Sequence, residues 1–123
     1  MTTGEEGAAW TGSAGADPVA VPHTGVASTR VCVHGELTTV QFAMAAGGEM
    51  GTHASSRPVV IAITEGQVNV TAGGETRTLT PGGAVSLPAR DAHALRAVDG
   101  PARFLLVMGP VPSASTPAEA PGS

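Results

Sequence analysis

The feature that most limits this chain is its punctuation: from residue 31 to residue 108, short apolar and β-branched runs are broken by Gly and Pro. Val31 and Val33 alternate with Cys32; Val40, Phe42 and Met44 alternate with Gln41 and Ala43 before Gly47-Gly48 ends that run. Residues 59–63 are continuously apolar, and Glu65-Gly66 follows as a turn. Gln67-Val68-Asn69-Val70-Thr71 alternates, and Gly73-Gly74 then closes a hairpin with residues 75–79. Two glycines suit a two-residue hairpin loop because both loop positions need positive φ. Pro81-Gly82-Gly83 precedes the run 84–87, and the runs 92–98 and 102–108 flank Asp99-Gly100-Pro101. No window of helical length repeats its apolar residues at the helical period. About eight short strands at this spacing predict a β-barrel or sandwich.

Composition narrows what such a barrel can do. The chain has 123 residues, about one domain's worth. Its 6 basic residues, all Arg, are outnumbered by 10 acidic ones, for a net charge of −4. Binding to a nucleic-acid backbone needs a clustered positive face, so that class is excluded. Aromatics are 2% of the chain and Tyr is absent, which removes base stacking as well. The single Cys32 cannot form an intramolecular disulfide. The acidic start Met1-Thr2-Thr3-Gly4-Glu5-Glu6 reads as no signal peptide, and no apolar run approaches membrane-spanning length. A cytoplasmic protein with no membrane partner is expected. Residues 1–25 and 110–123 are rich in small and turn-forming side chains with little to bury, so both read as flexible tails around a folded unit of residues 26–109. Trp10 is the one large side chain of the first tail, able to dock on the domain or a partner.

Two stretches carry a family likeness. Gly47, His53, Ser55, Val59 and Gly66 fall in one spaced series, and Gly82, Pro88, Arg90, His93 and Ala97 in another. In order and spacing they resemble the two motifs of the cupin superfamily, small double-sheet barrels that often hold a metal at their centre. The first motif places a Gly, then His-x-His, a Glu and a second Gly; the other places a Gly, then Pro-x-Gly, a His and an Asn. The resemblance covers nearly all of residues 26–109 and implies an all-β, cupin-like double-stranded β-barrel of jelly-roll type, assembled as a homodimer. It also implies a metal set of three His and one Glu, of which this chain keeps His53 and His93. Ser55 replaces the second His, Val59 (Val60 with the longer gap) replaces the Glu, and Arg90 stands where the family usually has Gly.

Residues two apart on a strand share a face, so Val59, Ile61 and Ile63 would line the barrel beside His53 and Ser55. Leu95 and Ala97 would face them beside His93, and Phe104 with Leu106, or Leu105 with Val107, would add apolar wall. That interior reads as an apolar small-molecule pocket with two imidazoles and one hydroxyl. His53 and His93 are the candidate catalytic or metal-binding residues, since imidazoles serve both as general acid–base groups and as ligands. Ser55, Val59, Ile61, Ile63, Leu95 and Phe104 are candidate ligand contacts, and Arg57, in the loop after His53, could pair with a substrate carboxylate. No nucleophilic triad can be assembled, because no carboxylate is placed to orient His93.

Three readings stay open. The barrel binds a small organic molecule with weak or no metal, with isomerase or cyclase chemistry as an extension. Alternatively, a divalent ion (Zn, Fe, Mn or Ni) sits on His53 and His93 with waters and supports oxygenase-type chemistry. In the third reading the barrel is a non-catalytic interaction module whose pocket is simply core.

Overall fold

A computed structural model describes residues 19–112, so the expectations for Trp10 and for the outer parts of both tails lie outside the described residues. Seven strands follow one another: β1 (Val26–His34), β2 (Leu37–Met44), β3 (Glu49–His53), β4 (Val59–Ala72), β5 (Glu75–Leu79), β6 (Ala84–Leu87) and β7 (His93–Met108). All pairings are antiparallel. The order is β1-β2-β7-β4-β5, with β3 added to β7 and β6 added to β4.

Two long strands organise the barrel. The first part of β4 pairs with β6 and with the end of β7, which continues into β2 and β1. The second part of β4 pairs with β5 and with the start of β7, which holds β3. Each long strand therefore runs through both walls. The expected turns at Glu65-Gly66 and Asp99-Gly100-Pro101 are instead corners inside continuous strands, which merges four expected strands into two; with the unexpected β3 the total is seven. Ladder shifts at Ile63/Glu65 and Glu65/Gln67 mark the corner on β4. Positive φ at Gly66 (75°), Asp99 (59°) and Gly100 (133°) accommodates the bend. Across it, Arg103 donates to Glu65 at 2.6 Å.

The core fills the space between the walls. Met44, Ile61, Phe104 and Leu106 from the first wall meet Val68, Val70, Leu95 and Ala97 from the second, all buried. Phe42 stacks on Phe104 with ring centroids 4.8 Å apart and planes at 6°. The hairpin between β4 and β5 matches its sequence signal: Gly73 and Gly74 have φ of 61° and 78°, and Ala72 lies opposite Glu75.

The part of the expected N-terminal tail that is described lies against the first wall. Val19 donates its N–H to Gln41 Oε1 at 2.5 Å, and its carbonyl accepts from Arg103 Nε at 3.1 Å. Gly25 accepts from Ala45 N–H at 2.9 Å. Partners on the sheet satisfy these backbone groups, so Val19 and Gly25 are tied to the first wall. No helix among the described residues is long and apolar enough to cross a membrane.

Candidate functional site at the barrel mouth

β3 has a single strand neighbour, β7, and a shift in that ladder between Met50 and His53 sets His53 opposite His93. The two imidazoles touch, with centroids 4.3 Å apart and planes at 60°. His93 is buried at 3% exposure, whereas His53 is exposed. Each ring is held in the same way. His53 Nδ1 lies 2.8 Å from Gly51 O, and His93 Nδ1 lies 2.9 Å from Asp91 O. A carbonyl oxygen only accepts, so Nδ1 carries the proton in both rings and the neutral imidazole keeps its lone pair on Nε2. The site thus presents two touching imidazoles, one buried and one exposed.

The other expected site residues are placed differently. Ser55 is a loop-former: its hydroxyl accepts Arg57 N–H at 3.0 Å, and its carbonyl accepts Arg90 N–H at 2.6 Å. Arg57, a candidate partner for a substrate carboxylate, has its guanidinium engaged with the protein instead. Its Nε donates to Gly109 O at 2.5 Å, and one Nη donates to Glu36 O and reaches Thr38 Oγ1 and Met108 O at 3.4 Å each. The side chain clasps the β3–β4 loop to the β1–β2 turn and the end of β7. Val59, Ile61, Ile63, Leu95 and Phe104 form packed core, none more than 4% exposed. The expected roomy apolar pocket is therefore filled at that level of the barrel by its own side chains.

The clasp gives a first expected result. Arg57→Ala strips several carbonyls of a charged donor and should lower stability by about 1–3 kcal/mol, read as a lower midpoint in urea at unchanged slope. Arg90 gives a second, of opposite sign. Its φ is 72°, a left-handed value that strains any residue with a Cβ. Arg90→Gly should raise stability by about 1 kcal/mol in the same assay.

Two hollows lie near the Gly73-Gly74 end of the second wall, and their lining residues on β4 and β5 are not among the expected site residues. One, of about 310 Å³, is lined by Val70, Ala72, Leu79 and Val85 with Glu75 and Arg77. A second, of about 410 Å³ and lined in part by His93, shares Ala72 with it. The Gly73-Gly74 hairpin carried a usable signal for the first. It fixes Ala72 opposite Glu75 and Val70 opposite Arg77, hence all four on one face.

The whole sequence between Val40 and Met108 matches the Cupin domain family, over residues 40–108. The chain belongs to the cupin family. Solved structures agree on the fold. A cupin superfamily protein from Desulfitobacterium hafniense superposes with a TM-score of 0.68 at 18% identity, covering 74% of this chain and 83% of that one. A Thermus thermophilus protein does so with a TM-score of 0.66 at 29% identity, covering 72% and 86%. The KdgF protein of a Halomonas species gives 0.66 at 24%, covering 70% and 79%. None of the curated proteins matches the sequence.

Cupin barrels often centre on a metal, and such a centre needs a matching set of donors. Two of the usual four donor positions hold Ser55, whose hydroxyl is used in its own loop, and buried Val59. Among the described residues no three His, Cys, Asp or Glu side chains come together as a metal-holding group. Metal centres ordinarily draw three or four ligands from the protein. The side chains of this cupin do not fit such a centre; they supply two imidazoles.

Proposed function

We propose that this cupin binds a small organic molecule at the mouth of its barrel, beside His53 and His93, with a metal ion held weakly or not at all. The observation that carries this reading is the paired Nδ1–carbonyl contact of two touching imidazoles, which leaves each Nε2 available to a ligand, with a hollow beside His93. A ligand donor can hydrogen-bond there. One Nε2 can also take a proton from a ligand atom and return it at another, a balanced step of the kind isomerisation or cyclisation needs. The free thiol of Cys32 is compatible with a cytoplasmic setting. Assembly as a homodimer through the outer face of the first wall is part of the same reading. Val60, 41% exposed on the outer face of β4, would lie at such an interface.

The same contacts support a second reading, because a ligating imidazole usually donates its other N–H to a carbonyl. In that case His53 and His93 hold a divalent ion, with the remaining positions filled by waters or by the ligand itself, and the chemistry is of the oxygenase type. Histidine side-chain ¹⁵N spectra separate the readings. Organic probes added to metal-free protein should move both Nε2 signals, and His93→Gln should abolish the response of His53. Movement with Zn²⁺ or Fe²⁺ alone would favour the metal reading. Movement with neither would leave an interaction module.

A further inference from the structure

We infer that the ligand of this cupin is a small monocarboxylate with an apolar body, its carboxylate held by Arg77. This deepens the reading of the mouth as a ligand site and rests on it. Register brings the parts together. His53, His93, Ala72 and Glu75 form one row across β3, β7, β4 and β5, and Met50, Leu95, Val70 and Arg77 form the next. Leu95 and Val70 are buried in the core, so these rows face inward and Arg77 shares their face. The 310 Å³ hollow beneath it has an apolar floor of Val70, Ala72, Leu79 and Val85. Its size is at the lower end of the roughly 300–1,000 Å³ of small-molecule sites, so the occupant is small.

Chemistry then selects the occupant's polar end. Glu75 Oε2 accepts from Arg77 Nε at 2.6 Å, which fixes one edge of the guanidinium. Among the described residues the two Nη groups have no further acceptor, and the side chain is 74% exposed. Their outer edge offers the parallel pair of N–H donors that a carboxylate accepts in bidentate fashion. Glu75 sets the upper limit on charge. Its carboxylate, within a chain of net charge −4, disfavours a dianion or a phosphate at this point. Ala72 lies between the hollow and His93, so a ligand anchored on Arg77 extends over Ala72 toward the imidazoles.

The test uses the full chain and a matched pair of probes, hexanoate and 1-hexanol, followed by backbone amide shifts and calorimetry. Hexanoate should produce saturable shifts at Val70, Ala72, Leu79 and Val85 and bind at least tenfold more tightly than hexanol. Arg77→Met should erase that preference while leaving the hexanol affinity and the fold unchanged; Glu75→Gln should let the dianion adipate bind. Equal affinity for the two probes, or a hexanoate preference that survives in Arg77→Met, overturns the proposal even where the histidine signals respond. Shifts in the hollow without any response of His53 or His93 leave the Arg77 anchor standing and remove the reading of the mouth.

Discussion

Phe104→Ala is expected to cost about 3–5 kcal/mol, a large part of the stability of a domain this size. Phe104 is fully buried and stacks on Phe42. It also lies on the last stretch of β7 between two ladders, opposite Phe42 of β2 and Ile63 of β4. Truncation removes the largest side chain of the core and leaves a void that the three paired strands cannot collapse to fill, since their backbones are locked by the ladders. The exposed-surface loss and the cavity therefore add. Urea unfolding should show the midpoint fall steeply. A loss below about 1.5 kcal/mol would mean that the walls close on the gap and that the core is far softer than its packing indicates. Phe104→Leu, which keeps most of the volume, should recover much of the difference.

Gly66→Ala is expected to cost about 3 kcal/mol, although it adds only one methyl group. Two penalties coincide. The residue has φ of 75°, so a Cβ is strained by its own backbone. The Cβ would also run into the carbonyl oxygen of Pro101 and the backbone of Ala102 on the facing strand. Neither obstacle is a flexible side-chain tip, so relief requires the β4–β7 corner to open. Gly73 has a similar φ of 61° but open space around it. Gly73→Ala should therefore show the conformational penalty alone, about 1–2 kcal/mol. Equal losses for the two variants would remove the contact with Pro101 from the account.

What the sequence disclosed follows from which contacts are local. The Gly73-Gly74 hairpin was legible because its geometry is set within four residues. The corners were not, because Glu65-Gly66 and Asp99-Gly100-Pro101 have the composition of turns. Only the pairing of residues 59–63 with 104–108, and of 67–72 with 93–98, makes them bends in continuous strands. β3 was invisible for a related reason. Glu49-Met50-Gly51-Thr52-His53 has no apolar alternation, and its strand character comes from β7. His53 and His93 were legible as family positions, yet their contact depends on a ladder shift that no local pattern announces. Arg57 shows the same limit. Its loop position suggested a free cation, but its acceptors at Glu36, Met108 and Gly109 are distant in sequence.

Because β4 and β7 each belong to both walls, neither wall can be lost while the other stays intact. Detaching the mouth would pull on the same two backbones that carry Ile61 and Phe104. Melting should accordingly be a single all-or-none transition, with calorimetric and van't Hoff enthalpies equal. Mass action then has an unusual reach for so small a site. A ligand seated beside His93 stabilises the entire described barrel by RT ln(1 + [L]/Kd), which raises its melting temperature and does not merely protect one end. Amides at Thr38, at the opposite end of the ladder, should slow their hydrogen exchange in step with those at Ala72.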